Sequence, residues 1–316
     1  MTGTRNPAYG SFMTAPTSAS VLLSRRVLTF GLALLVSGCS RFSGDGPDQA
    51  GAAFLDSQIP PGLSPEYYPP AGFVWSSFKL GNFPQARYGV AAPPVNPRAH
   101  LLILADAGYP GEVYFDLAQT ALKSGVSVWI LEAPGQGGSG HYVLQDQKVH
   151  TPDFTHAIKV ARAFVETVIK PSAAKPLYIF GHGSGALTAL ELQAQKWPIT
   201  SVMLYAPWSG DDTAGEWHRE DTPADLWGKV AHRWRIANPD LRLTQKSSAW
   251  VEQMGKQRKA LTSVSLDKLN PTLKRPPLLI SSLSGDPALC SGRGPCKSEM
   301  VADEAALTPV FKAFLS

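Results

Sequence analysis

The chain has 316 residues, of which 44% are hydrophobic and 17% charged, and carries a formal net charge of +4. That is enough apolar content for one sizeable buried core. The weak, dispersed basic excess, with no block of like charge and no fixed-period repeat, argues against nucleic acid as a partner.

The N-terminus reads as a targeting segment. Arg25 and Arg26 precede an apolar run from Val27 to Val36, which ends in Val36-Ser37-Gly38-Cys39. A charged start, an apolar stretch of about 10 residues and small residues at the cut site predict a secretory signal too short to span a membrane. Val-Ser-Gly-Cys resembles a bacterial lipobox, which implies lipidation of Cys39. Ser24-Arg25-Arg26-Val27-Leu28 resembles, in part, a twin-arginine export signal. Residues 1–39 are therefore expected to be signal peptide with lipobox, and the mature protein a lipoprotein on the periplasmic face of a bacterial envelope, with the outer membrane favoured. Met13 is an alternative start. Residues 40–72, rich in Pro, Gly and Ser, read as a flexible tether.

From residue 73 to 316 the pattern is that of one domain. Phe73–Leu80 and Arg87–Ala91 are predicted as opening strands. The continuous apolar runs His100–Ala105, Val126–Leu131, Leu177–Phe180, Ile199–Tyr205 and Pro277–Leu283 predict strands buried on both faces. Helical spacing covers Val113–Lys123, Phe154–Ile169 (with Asp153 as cap) and Ser184 to about Lys196. This alternation predicts an α/β fold with a mostly parallel central sheet between helices. The rhythm stops at about residues 208–276, which hold five of the eight tryptophans (Trp208, Trp217, Trp227, Trp234 and Trp250). That segment reads as a helical cap over the strand ends. Its tryptophans serve either the cap's own core or an apolar, basic-rimmed lid for acyl chains. Cys290 and Cys296 flank a five-residue loop; a disulfide and a pair of free thiols both remain open. No metal-ligand spacing and no cofactor motif competes with this picture.

The most informative segment is Phe180-Gly181-His182-Gly183-Ser184-Gly185-Ala186, between a strand and a helix. A nucleophile elbow, G-x-S-x-G, has small residues two places either side of its serine. Gly181 and Gly185 fill those places and put Gly183 at the apex. Together with Tyr114-Phe115-Asp116-Leu117, Gly135-Gln136-Gly137-Gly138-Ser139-Gly140, His150-Thr151-Pro152-Asp153-Phe154 and Ala206-Pro207, the chain resembles the α/β-hydrolase superfamily. Within it the likeness is to the lysophospholipase and monoacylglycerol-lipase (serine aminopeptidase-like) branch.

The resemblance implies an α/β-hydrolase fold, acyl-lipid or lysophospholipid substrates, a Ser-His-Asp triad and membrane contact through the anchor at Cys39. Carried over residue by residue, the triad is incomplete. The nucleophile position is Gly183, and the acid position is Asp286. The histidine is expected after one more strand, yet no histidine follows His232. Val301–Leu315 reads as the helix before that strand, so the last strand is expected to be missing too. The oxyanion donors would be the backbone N–H groups of Ser184 and Ala107, the usual His-Gly before them being Asp106-Ala107-Gly108. Ser184 as a substitute nucleophile is set against its role as a small residue at the helix start. His182 is expected to pack, and His218 and His232 to be solvated. Three readings follow: an acyl-ester hydrolase (carboxylic ester hydrolase) impaired or inactive in this form, a non-catalytic lipid- or partner-binding pseudo-hydrolase, or a chain truncated or frame-shifted near residue 287.

Overall fold

A computed structural model describes residues 51–143, 148–210, 215–263, 278–281 and 297–316, all within the unit Asp45–Ser316. Cys39, Asp286, Cys290 and Cys296 lie outside the described residues. Eight strands form one sheet: β1 (Val74–Phe78), β2 (Ala86–Ala91), β3 (Ala99–Leu104), β4 (Val126–Leu131), β5 (Leu177–His182), β6 (Ile199–Tyr205), β7 (Leu278–Ser281) and β8 (Lys297–Met300). Their order is β1-β2-β4-β3-β5-β6-β7-β8. The pairs β1–β2 and β2–β4 are antiparallel and all others parallel. The apolar runs have a direct cause in β3, where Leu101 and Ile103 join one core and Leu102 and Leu104 the other. A parallel strand covered on both faces is apolar along most of its length.

The helices divide between the faces. On one side lie α1 (Phe115–Lys123), α4 (Leu226–Ala237) and α6 (Glu304–Phe314); on the other, α2 (Thr155–Phe164), α3 (Ser184–Leu192) and α5 (Ser248–Thr262). α2 continues through a wider turn, Val165–Ile169, closed by Lys170 in the left-handed conformation. Ahead of α2, the Asp153 carboxylate accepts from the Thr155 N–H at 2.8 Å. α4 and α5 come from the segment read as a cap. Trp227 and Trp234 are 0% and 1% exposed and pack with Phe115 and the α6 apolar face, while Trp250 joins the opposite core. These three tryptophans pack into the cores on the two faces of the sheet.

Two expectations are corrected. The last strand is present: β8 pairs in parallel with β7, and α6 follows it. It was illegible because Lys-Ser-Glu-Met is exposed at every position, and an edge strand without a buried face carries no apolar pattern. Residues 51–72 are not a flexible tether. The Gly51 carbonyl accepts from the Gln85 N–H, the Phe54 N–H donates to the Gly138 carbonyl, and Gln58 and Asn238 exchange two hydrogen bonds. Leu63 and Tyr67 are buried in the first core. A few apolar anchors suffice when the strap docks on a core already built, and its prolines lower the entropy lost on docking.

Beneath the 135–140 loop, Arg87 is fully buried between Glu112 and Glu132 and stacks on Trp75 at 3.5 Å. The Glu132 carboxylate also accepts from the Gly111 and Gly138 N–H groups at 2.6 and 2.8 Å. Burial pushes the Glu132 carboxyl up; Arg87 opposes this, neighbouring Glu112 adds to it, and the result is about 7.

Candidate active site

The elbow connects the carboxyl end of β5 to the first turn of α3. Gly183 lies between them at φ 53°, ψ −115°, a backbone region that favours glycine and strains other residues. Its N–H donates to the Tyr205 carbonyl, and its carbonyl accepts from the Trp208 and Ala186 N–H groups. Gly185 is required by close approach, since a Cβ there would lie 2.2 Å from the Leu104 carbonyl oxygen. β3 and α3 thus meet backbone to backbone beside the turn.

The space that a side chain at 183 would enter is filled by Asp106. A Cβ on Gly183 would fall 2.1 Å from Asp106 Oδ1 and 2.3 Å from its Cγ. Asp106 Oδ1 accepts from the Ser184 N–H at 2.8 Å and Oδ2 from the Gly108 N–H at 3.0 Å. The Ala107 N–H donates to Ser184 Oγ at 2.9 Å. Both backbone donors expected for an oxyanion therefore already have intrachain acceptors. Burial opposes ionisation of Asp106, but His182, Lys246 and the Ser184 and Gly108 N–H groups outweigh it and hold the carboxyl below its usual range. The site holds a fixed anion of its own.

Ser184 Oγ is buried at the start of α3. With the Ala107 N–H on it, the hydroxyl serves as a cap for the β3–α1 connection. His182 is 7% exposed, ringed by Tyr109, Tyr114, Tyr205 and Trp227. Tyr114 Oη accepts from the Asp106 N–H and shares a hydrogen bond of 2.9 Å with His182 Nδ1. Burial lowers the His182 pKa, against Asp106 and Asp225. His218 is exposed, whereas His232, expected to be solvated, is half-buried and accepts at Nδ1 from Trp217 Nε1–H at 3.0 Å. After β8 the chain reads Val301-Ala302-Asp303, with no base where the resemblance places its histidine.

Two contributors were not foreseen. Asp106 had been noted only as a departure from His-Gly; the signal was that this acid and the apex glycine are complementary departures, one supplying the volume that the other vacates. Arg235, buried in α4, donates through Nε to the Leu241 carbonyl and through a terminal nitrogen to the Gly108 carbonyl, fixing the β3–α1 loop from above. A narrow cleft beside Ser184 and Gly185 is lined by Leu131, Phe154, Val160 and Trp250.

The strand order, the elbow turn and the placement of helices define an α/β hydrolase. The family described as serine aminopeptidase, S33, matches residues 95–274, more than half of the chain, and the protein belongs to it. Among solved structures it is similar to a thermostable carboxyl esterase from Bacillus coagulans in complex with glycerol (12% identity, 77% of this chain and 96% of that one, TM-score 0.56). It is also similar to a soluble variant of monoglyceride lipase from Saccharomyces cerevisiae with a substrate analogue (16%, 76% and 94%, 0.54). A membrane phospholipase A described as a bacterial virulence factor matches at 14% identity (78% and 86%, 0.51). At such identities these structures share the fold. No curated protein matches the chain.

Proposed function

We propose that this protein is a lipid-anchored envelope component, held through Cys39, that descends from lysophospholipase-like acyl-ester hydrolases and binds acyl lipid without cleaving it by the serine route. One observation carries the reading: the Asp106 carboxylate lies on the Ser184 N–H, in the volume that a nucleophile at 183 would need. Acyl transfer requires a hydroxyl, a base to deprotonate it and free N–H donors for the tetrahedral oxygen. Gly183 supplies no hydroxyl, His182 faces Tyr114 through Nδ1, and both donors are engaged. Lipid as the ligand rests on the lysophospholipase-like motifs and on the lipid-linked names of two structural neighbours.

The test is equilibrium binding of a fluorophore-labelled lysophospholipid to the full chain in non-ionic detergent, with released fatty acid measured in the same samples. Saturable binding without release beyond the detergent blank is expected. Release with turnover overturns the non-catalytic part, and absence of binding overturns the lipid-binding part.

A further inference from the structure

A second concavity, distinct from the cleft at the elbow, is lined by Glu216, Trp217, Asp221, His232 and Arg235 among others. Arg235, only 5% exposed, belongs to its lining. Its hydrogen-bond partners are the Leu241 and Gly108 carbonyls, and among the described residues no carboxylate forms an ion pair with it. Burial lowers its pKa to about 10, offset in part by Tyr109, Asp221 and Asp225 at longer range. A buried cation without an ion partner is costly, and an anion reaching it recovers part of that cost.

The surroundings of the mouth carry both signs, the Glu216 and Asp221 carboxylates and the Arg242 guanidinium against Trp217. Glu216 and Asp221 are exposed, and Asp221 Oδ2 accepts from the His218 N–H. Trp217 forms a flat wall, fixed by its N–H on His232 and by the Arg242 guanidinium 4.6 Å from its ring centroid. A buried cation, two exposed carboxylates and an aromatic ring on one lining match a dipolar solute better than a simple anion.

We infer that this pocket binds a small zwitterion, its phosphate or carboxylate on Arg235 and its ammonium group between Trp217 and the Glu216 and Asp221 carboxylates. The site is independent of ester turnover at the elbow. Because Arg235 also holds the Gly108 carbonyl, occupancy bears on the loop that presents Asp106.

The test uses the full chain in non-ionic detergent and saturation-transfer NMR on the trimethylammonium protons of phosphocholine and of glycine betaine. These two probes separate a phosphate from a carboxylate source, and inorganic phosphate and acetate serve as competitors. Saturable transfer from at least one zwitterion, with both simple anions competing more weakly, is expected. Glu216→Gln, at an exposed position that leaves the fold intact, weakens the zwitterion about two- to fivefold and strengthens inorganic phosphate; Arg235→Gln abolishes transfer. Absence of transfer from both zwitterions, equal competition by the simple anions, or an unchanged zwitterion affinity in Glu216→Gln overturns the proposal. If Arg235→Gln fails to fold, the Glu216→Gln result decides.

Discussion

Asp106 Oδ1 and the missing side chain of Gly183 compete for one volume: the oxygen lies 2.1 Å from where a Cβ at 183 would stand. A serine at the apex and this aspartate in its present rotamer are mutually exclusive. The two departures from a working elbow therefore form one structural change, in which a carboxylate just after β3 replaces a hydroxymethyl group just after β5 and takes the Ser184 N–H with it.

It follows that Gly183→Ser does not restore an esterase. The positive φ alone costs about 1–3 kcal/mol, and the clash with Asp106 adds to it. Asp106→Ala relieves the clash, so its cost is smaller in the Gly183→Ser background than in the native one. Chemical denaturation of the four proteins of this double-mutant cycle gives the coupling and its sign.

Much of the scaffold was legible in the sequence, and its failures have physical reasons. Val126–Leu131 and Ile199–Tyr205 formed as read, because doubly covered strands leave continuous apolar runs. β8 was missed because an exposed edge strand needs no apolar residue. The strap at 51–72 was misread because composition reports what a segment can bury alone, not what it can dock onto. At the site, the turn was visible in Gly181, Gly183 and Gly185, but the occupant was not: Asp106 is 77 residues from Gly183, and only the β3–β5 pairing brings them together. Arg235 gave no signal, since one arginine among many in that segment does not announce burial.

Trp227 and Trp234 separate a core helix from a lid. Replacing either with alanine costs about 3–5 kcal/mol in urea denaturation, because each is fully enclosed between α1, α6 and the sheet. Trp217→Ala, at the half-buried wall of the second pocket, costs less than about 1 kcal/mol. A mobile lid would give small losses at all three positions.

The strap makes a different prediction. With Phe54, Leu63 and Tyr67 docked, brief digestion of the native protein leaves residues 51–72 attached to the domain. Tyr67→Ala exposes them to cleavage. Mass spectrometry of the fragments reads both outcomes.

Stability depends on pH through Glu132 and Asp116. Burial pushes each carboxyl up to about 7 in the folded state, from ordinary values of 4.5 and 3.8. The folded chain thus holds protons that the unfolded chain has released, and the contribution of these groups falls as pH rises from about 4 to 7. Glu132→Gln, which stays neutral while keeping an amide oxygen for the Gly111 N–H, flattens this slope. Thermal melts from pH 5 to 8 of the native protein and the variant measure the difference.

The most direct measurement is exposure of the native protein to a fluorophosphonate, followed by intact-mass and peptide analysis. With the apex a glycine, Ser184 Oγ held by the Ala107 N–H and the oxyanion donors taken by Asp106 and Ser184 itself, the mass is expected to remain unchanged after prolonged incubation. A stoichiometric phosphonyl adduct on Ser184 would contradict the account, since it requires that hydroxyl to be activated and its oxyanion site to be open.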